Sequence, residues 1–421
     1  MVLEQLKQPD SNPAEVDFDY DLAIAGGGII GLTLACALKN SGLKVALIEA
    51  KPDSAASAKG QAYAVHLLSG RIFAGIGVWD KMLPQVANFC HVCLSDGDYP
   101  GVVEFETTDL NSDVLGYVAE HQALLKPLQD FVRECANVTY LCPAEVVETQ
   151  YQSSSVEISL SINGEIKIIR TRLIVAADGS KSRIRQAAGI NTRGWQYWQS
   201  CIVAFVKPEK GHNNTAYERF WSSGPFAILP LPENRCRIVW TAPHAEAKAL
   251  LALDDEQFLA ELSKRAGDRI GKLQLEGDRF IFPVKLMQSD RYVMPRLALI
   301  GDAAHCCHPV GGQGLNMGIR DAAALAQVLQ TAYIQGKDIG DLATLKDYER
   351  WRKRENLTIL GFTDLLDRMF SNNLLPIVLI RRLGLLMLRR VQPVKVFALK
   401  LMTGLKGRTP EIARKTVTSD Q

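Results

Sequence analysis

The sequence has few charged residues and no long apolar run. Only 22% of its 421 residues are charged, and Lys and Arg total 48 against 46 Asp and Glu. So balanced a chain lacks the basic surface that nucleic acid requires. No apolar run reaches the ~20 residues of a membrane span, and the amino terminus has no basic segment followed by an apolar core. We therefore expect a cytoplasmic protein, soluble or peripheral to the membrane, that binds no nucleic acid.

The cysteines follow no disulfide pattern. Nine is an odd number, and no framework spacing links them, so we expect reduced thiols. Two clusters invite a metal interpretation, His305-Cys306-Cys307-His308 and Cys90-His91-Val92-Cys93. Four adjacent residues rarely aim at one point, and zinc sites draw their ligands from separated pairs. We expect no metal site.

A nucleotide-binding fingerprint opens the patterned part of the chain. A strand predicted over Tyr20–Ala25 leads into a GxGxxG motif with glycines Gly26, Gly28 and Gly31, and Glu49 ends the next predicted strand. In such units the first glycine makes the turn, the second admits the pyrophosphate, and the third packs helix on strand. The acidic residue takes the ribose hydroxyls. The motif predicts a dinucleotide site without separating FAD from NAD.

Two later stretches also place a polar loop after a buried strand. The first, Ala-Asp-Gly-Ser-Lys-Ser-Arg-Ile-Arg at 177–185, follows the apolar run 173–176, and the second spans 301–321. In the second, Gly311, Gly312 and Gly314 would let the backbone approach a flat ligand. The helix that follows would point its free N–H groups at an anion or an electron-rich ring edge. We interpret 301–321 as a cofactor cradle.

The middle and the end of the chain differ from these units. Alternating patterns over 195–278 predict a largely antiparallel sheet, a natural wall for a substrate. Between residues 374 and 407 there are seven Lys or Arg and no Asp or Glu, set among leucines. That composition fits an interfacial helix on anionic lipid or an acidic partner. It equally fits a docking helix with a solvated basic face.

Together the three motifs resemble those of the class A flavoprotein monooxygenases, which share the fold of p-hydroxybenzoate hydroxylase. The stretches at 115–120, 194–199, 217–231 and 363–366 resemble the UbiH/UbiF/VisC branch, whose members hydroxylate aromatic precursors of ubiquinone. Two positions depart from the branch. Gln61 stands where an Arg is usual, and His121 replaces the Asn of a GYxxEN pattern.

The resemblance implies an α+β fold with a discontinuous Rossmann-like FAD-binding domain, an inserted, mostly antiparallel substrate domain and a helical tail. The expected FAD domain covers 18–75, 115–190 and 285–370, and the substrate domain 76–114 and 191–284. Residues 371–421 form the expected basic amphipathic tail and 1–17 a flexible leader.

The resemblance also assigns roles to single residues. Those expected to bind FAD are Gly26, Gly28, Ile29, Ile30, Gly31, Glu49, Gln61, Gln122, Asp178, Asp302, Pro309, Gly311, Gly312, Gln313, Gly314, Leu315 and Asn316. Candidates on the sheet wall for contact with a substrate are Tyr217, Arg219, Phe226, Ile228, Pro230 and Trp240. No catalytic triad is evident, and the candidates for a base that deprotonates a phenol are His305, His308 and Tyr217.

The implied activity is aromatic hydroxylation with O2. NADH or NADPH, bound transiently, would reduce the bound FAD, and a flavin hydroperoxide would deliver oxygen to the ring. The expected substrate is a polyprenylated phenol or quinone precursor, with 371–421 meeting a membrane surface or a biosynthetic complex. Two alternatives stay open: a flavin-dependent reductase of the same fold, and a non-catalytic assembly subunit.

Overall fold

The computed structural model describes residues 17–52, 61–97, 99 and 101–414. Residues 1–16 of the expected leader and 415–421 of the expected tail lie outside the described residues. The strands are β1 (Tyr20–Ala25), β2 (Val45–Ile48), β3 (Ala62–His66), β4 (Val86–Phe89), β5 (His91–Asp96), β6 (Val102–Glu106), β7 (Gly116–Glu120), β8 (Val138–Leu141), β9 (Glu145–Tyr151), β10 (Val156–Ile162), β11 (Glu165–Ala176), β12 (Thr192–Pro208), β13 (Thr215–Trp221), β14 (Gly224–Leu231), β15 (Arg235–Pro243), β16 (Leu273–Ser289), β17 (Val293–Met294), β18 (Leu297–Leu299) and β19 (His305–Cys306). The helices are α1 (Ile29–Ala37), α2 (Leu67–Ile76), α3 (Trp79–Met82), α4 (His121–Arg133), α5 (Arg183–Ala187), α6 (His244–Ala252), α7 (Asp255–Ala266), α8 (Gln313–Ile334), α9 (Leu342–Phe370), α10 (Leu375–Arg390) and α11 (Gln392–Met402).

The first sheet is parallel at its centre, in the strand order β17-β18-β11-β1-β2-β8. Leu22, Ala23 and Ile24 of β1 are completely buried in one core with side chains from α1, α4 and α8. A strand buried on both faces needs a continuous apolar run, and β1 has one. Because β11 pairs with β1 in parallel up to Ala25↔Ala176, the loops that follow both strands leave the same edge of the sheet.

The second sheet is mostly antiparallel, in the order β19-β16-β12-β15-β14-β13-β5-β6. Helices α6 and α7 cover one of its faces, where the core includes Ile202, Ile238 and Phe258. Strand β16 runs through the expected domain boundary between residues 284 and 285, and β19 pairs with it. The two regions therefore share a continuous strand.

A third sheet, β3-β7-β4, lies between the other two. Its strand β7 ends at Glu120, whose carboxylate pairs with Arg235 at the start of β15 at 2.7 Å. These contacts place β3 and β7 beside the face of the second sheet that α6 and α7 leave uncovered. The α+β architecture, with an inserted antiparallel sheet and a helical C-terminus, is confirmed.

The helical C-terminus is packed onto the body of the protein along its length. The buried Arg381 of α10 donates to the buried Asp96 of β5 at 2.9 Å and to the carbonyl oxygens of Phe370 and Asn372. Further along, Lys395 pairs with Asp109 at 2.8 Å. The segment therefore forms part of the folded unit.

Replacing Arg381 with alanine should loosen α10, because the buried Asp96 would lose its hydrogen-bonded partner and keep only the more distant Arg382, at 3.8 Å. We expect the free energy of unfolding to fall by about 3 kcal/mol, measured by denaturant unfolding. Arg390→Ala, at an exposed position of the same helix, is the control and should change stability little. Equal losses for the two variants would contradict an anchoring role for Arg381.

Candidate functional site

The GxGxxG motif leaves an open space before an uncapped helix. Gly28 is the N-cap of α1, and no side chain accepts from the first-turn N–H groups. A Cβ on Gly28 would meet nothing within 4 Å, whereas one on Gly31 would lie 1.9 Å from the Gly26 carbonyl oxygen. Gly31 is therefore needed for packing, and Gly28 borders space for a ligand. Such a terminus suits a pyrophosphate.

Glu49 is held beside this loop. One carboxylate oxygen accepts from the Gly27 N–H at 2.7 Å and the other from the Lys51 N–H at 2.8 Å. Asp178, which follows β11, and Gln122, in the first turn of α4, are exposed. Parallel pairing of β11 with β1 places Asp178 at the edge from which the glycine loop leaves. This edge carries acceptors for ribose hydroxyls beside the free N–H groups.

A second uncapped helix starts at the glycine turn of 301–321. Gly311 and Gly312 have φ of 65° and 60°, the left-handed region that favours glycine. Gly312 is the N-cap of α8, and again no side chain caps the helix. The Gly311 carbonyl oxygen accepts from His66 Nε2 at 3.1 Å, which ties the turn to β3. The first turn of α8 can thus offer its N–H groups to a negative ring edge.

The Asn316 side chain fixes this turn. Its oxygen accepts from the His66 N–H at 2.8 Å and from Ser69 Oγ at 2.7 Å. Its nitrogen donates to the carbonyl oxygens of Ala64 and Gly312, both at 2.7 Å. A fully buried carboxamide with this many partners has no capacity left for a ligand.

Gln313 is occupied in the same way. Its amide nitrogen donates to the Met402 carbonyl oxygen of α11 at 3.1 Å, and its side chain is buried. Only the backbone of Gln313 and Asn316 is therefore available to a cofactor. This agrees with a contact through the backbone of 311–316, which is the form that the expectation from the sequence takes.

Polar side chains that border the space between these elements are desolvated by the surrounding protein. The Asp302 side chain is exposed, yet the surrounding protein desolvates its carboxylate and raises its pKa, while His305 and Lys285 oppose the rise. Burial likewise raises the pKa of Tyr63 to about 12. An accessible group with a desolvated charge is typical of the wall of a deep cleft.

Gln61 and His121, the two positions that depart from the family pattern, both contact the hydroxyl group of Tyr63. Tyr63 donates its hydroxyl hydrogen to Gln61 Oε1 at 2.6 Å, and His121 Nδ1 lies 3.2 Å from the same oxygen. Since the hydroxyl hydrogen is already used, His121 Nδ1–H donates to it. Burial lowers the pKa of His121. Gln61 and His121 therefore form one neutral cluster with Tyr63.

Neither candidate histidine is available as a base. His305 donates from Nε2 to Asp321 at 2.5 Å, and its Nδ1 is buried. Burial would raise the pKa of Asp321, but His305 and Arg352 hold it below its usual range. Burial lowers the pKa of His308 to about 3, and its ring accepts from the Val310 N–H and donates to Gln199. The burial and the hydrogen bonds of both rings argue against the prediction that one of them deprotonates a substrate.

The candidates on the sheet wall lie on the wrong face. Phe226, Ile228 and Trp240 are in the core under α6 and α7, and Tyr217 packs against it. Pro230 is buried two positions from Ile228 on the same strand. Arg219 donates to the Arg265 carbonyl oxygen of α7 at 2.5 Å. These residues face the helices, which argues against the predictions that they contact a substrate and that Tyr217 acts as a base.

The opposite face carries residues that the sequence interpretation missed. Strand pairing places Glu218, Ala227, Val239 and Val203 in one row across β13, β14, β15 and β12. Arg237, one step along β15, is buried with its pKa lowered to about 10 by desolvation, and it interacts with Tyr63. The signal in the sequence was the charged residue between apolar ones in Tyr-Glu-Arg-Phe and Arg-Cys-Arg-Ile.

Metal chemistry receives no support from the side chains. Within the described ranges, no three His, Cys, Asp or Glu residues are grouped so that they could hold an ion. Cys306 and Cys307 have thiol pKa values raised by burial, with Asp302 adding to the effect. They behave as buried thiols.

The chain resembles known proteins over most of its length. The family described as FAD binding domain matches residues 19–360. The uncharacterized protein slr1300 of Synechocystis sp. is 52% identical over 397 residues, covering 94% of this chain and 96% of that protein. Ubiquinone hydroxylase UbiL of Rhodospirillum rubrum is 38% identical over 397 residues, covering 94% and 92%. The structure of p-nitrophenol 4-monooxygenase PnpA from Pseudomonas putida matches with a TM-score of 0.77 at 17% identity, covering 92% and 98%, a likeness of fold alone.

Replacing Asn316 with alanine should release the glycine turn. Four buried partners would lose their hydrogen bonds, so we expect about 3 kcal/mol lower stability and FAD affinity reduced about tenfold or more. Denaturant unfolding and quenching of flavin fluorescence measure the two effects. The control, Gln335→Ala, is exposed at the other end of α8. Unchanged FAD affinity in a folded Asn316→Ala variant would contradict the positioning role.

Proposed function

The chain belongs to the class A FAD-dependent monooxygenases, in their UbiH/UbiF/VisC branch, and on this premise we propose that it hydroxylates the aromatic ring of a polyprenylated phenol or quinone precursor. The overall reaction consumes O2 and NAD(P)H with one proton, inserts one oxygen atom into a ring C–H bond, and releases water and NAD(P)⁺. FAD, when bound, supplies the hydride acceptor and the reaction with O2 that side chains cannot provide.

The residues present fit FAD at both ends of the cleft. The uncapped start of α1, with Glu49 and Asp178 at the same sheet edge, would hold the ADP half. Asp302, Pro309 and the backbone from Gly311 would meet the flavin half. The N–H groups of the α8 first turn would stabilise negative charge on the pyrimidine edge of the ring.

The observation that best supports the proposal is the apolar face of the second sheet away from α6 and α7. This face carries Val203, Val239 and Ala227, with Phe280 and Val284 packed beside them. An apolar wall would exclude water from the reacting ring and accept a hydrophobic substrate. The name of the relative UbiL, a ubiquinone hydroxylase, agrees with a lipophilic aromatic substrate.

We expect purified holoenzyme with NADH or NADPH and labelled dioxygen to add one labelled oxygen to a prenylated phenol, detected by mass spectrometry. A product that gains two hydrogens and no label would instead indicate the flavin-dependent reductase. NAD(P)H oxidation that no phenol accelerates, with no labelled product, would favour the assembly subunit. Unprenylated phenols of the same ring pattern are the control for the lipophilic part of the substrate, and they should react more slowly.

The outer face of α10 suggests how a lipophilic substrate reaches the protein. Leu375, Leu379, Leu383 and Met387 recur every four residues and are 43% to 70% exposed, opposite the buried Arg381 and Leu385. The exposed Arg389, Arg390 and Lys400 stand beside this stripe, and no acidic residue lies between 374 and 407. We propose that the stripe rests on an anionic bilayer surface. No helix in the described part of the chain is long and apolar enough to cross a bilayer.

The paired replacement of Leu379 and Leu383 by glutamate should abolish this binding, since each leucine contributes roughly 1.5–3 kcal/mol when buried. In liposome flotation we expect the wild type to rise with phosphatidylserine vesicles and the double variant to stay in solution. Leu357→Glu is the matched control, because Leu357 is as exposed as Leu379, at 58%, but lies on α9. Equal flotation of all three proteins would contradict the proposal.

A further inference from the structure

Glu218 is the acidic residue in the apolar row that faces the cleft. Its partners across the sheet are Ala227, then Val239 and Val203. Its neighbour Tyr217 pairs with Ile228 and turns toward the core under α6 and α7. Because side chains alternate along a strand, Glu218 turns toward the opposite face. The sheet therefore presents one carboxyl group among small apolar side chains.

Other charged groups around Glu218 are already engaged. Beyond Phe220 on the same face, Asp96 pairs with Arg381 at 2.9 Å. At the mouth of the cleft Glu120 pairs with Arg235.

Two more titratable groups face the same space. Arg237 lies over the Phe205 ring at 5.6 Å and interacts with Tyr63 and with the thiol of Cys201. Glu218 acts on that thiol electrostatically, so these groups share one electrostatic environment.

The Glu218 carboxyl group has no hydrogen bond or ion pair with any other residue that the structure describes. Its side chain is only half-buried, so part of it opens to the cleft. Desolvation by the surrounding protein raises its pKa from 4.5 to about 8. A polar group in a desolvated wall without a protein partner is suited to a ligand that supplies the missing hydrogen bond.

We propose that Glu218 accepts the hydroxyl proton of the phenolic substrate while its ring is being hydroxylated. This inference rests on the proposed function, since it requires a phenol in the cleft. His305 and His308 do not compete for the role, because both are fixed in buried networks. His121 is bonded to Tyr63, and the buried His66 donates to the Gly311 carbonyl oxygen.

The step balances without a further reactant. When the ring carbon forms its bond to the oxygen atom derived from O2, the O–O bond of that atom breaks and its electron pair leaves with the other oxygen, while positive charge moves onto the phenol oxygen. The O–H bond then breaks, its electron pair forms a carbonyl group, and the proton passes to the Glu218 carboxylate. Loss of the ring proton to water restores the aromatic ring, and Glu218 returns its proton to the phenol oxygen.

The raised proton affinity of Glu218 favours this role. A carboxylate with a pKa near 8 lies much closer to a phenol, at ~10, than an ordinary glutamate does, at ~4.3. A general base is most effective when its pKa lies near the working pH, and a pKa of about 8 meets that condition. The rate of hydroxylation should rise with pH as Glu218 ionises, through about pH 8. The isosteric Glu218→Gln variant should lack that rise.

The decisive test compares two phenols in the holoenzyme, with NADH or NADPH and labelled dioxygen. One is 2-prenylphenol. The other is its ring-fluorinated analogue, assayed at a pH where its more acidic hydroxyl is already ionised. For 2-prenylphenol we expect Glu218→Gln to lower kcat by about a hundredfold, a typical contribution of a positioned base. For the analogue the loss should be less than about tenfold, because no proton remains to be accepted.

Controls separate this role from a structural one. Glu104→Gln, exposed on β6, should leave both rates unchanged. Infrared spectra of the oxidised holoenzyme should show a protonated carboxyl band that titrates near pH 8 and is missing in Glu218→Gln. Equal rate loss for the two phenols, no loss for either, or no such band would overturn the inference. If the wild type transfers no label to either phenol, the proposed function fails and this inference with it.

Discussion

The Asn316 carboxamide is the interaction on which the site depends. It joins α8 to β3 and α2 through bonds to Ala64, His66 and Ser69, and it closes the Gly312 turn. Each of these partners is a buried polar group that would otherwise lack a bond, so the arrangement is costly to disturb. The glycine turn has no Cβ atoms to hold it and needs this external constraint. The uncapped start of α8 can point at a ligand because Asn316 fixes the backbone before it.

The C-terminal helices support the same turn from the other side. The Met402 carbonyl oxygen accepts a hydrogen bond from the Gln313 side chain. A Cβ atom on Gly311 would lie only 2.1 Å from Met402 Cε, so the Met402 side chain packs directly on this glycine. The segment that carries the exposed apolar stripe is thus continuous with the packing behind the cofactor turn. Arg381 and Lys395, buried against Asp96 and Asp109, fix where that stripe emerges. The exposed apolar stripe and the glycine turn are parts of one folded unit, so α10 is not a separate appendage.

Opposite the turn, the second sheet divides its side chains between two environments. One face is an ordinary apolar core under α6 and α7, and the other combines valines with Glu218 and Arg237. Desolvation by the surrounding protein raises the pKa values of Asp302, Tyr63 and Glu218. It lowers the pKa of Arg237. All four shifts disfavour the charged form, which is what desolvation does. Desolvation therefore works against charge on each of these groups, although Arg237, with a pKa of about 10, stays cationic at neutral pH.

Local pattern was sufficient for the parts of this protein whose geometry is set within a short stretch of chain. The GxGxxG motif with Glu49, the strand before Asp178 and the glycine turn before α8 each combine a buried strand with a loop. These local patterns predicted a dinucleotide site, and the family resemblance that they carry implied the fold and FAD. The alternation of apolar and polar residues in β13 to β15 predicted strands. It does not show which face of the sheet is covered by helices and which faces the cleft. Only tertiary structure decided that α6 and α7 cover the face of Phe226, Ile228 and Trp240, which leaves Glu218 in the cleft. Likewise His305 and Asn316 became buried partners of Asp321 and His66, because hydrogen bonds between residues distant in sequence form only when the folded chain brings them together.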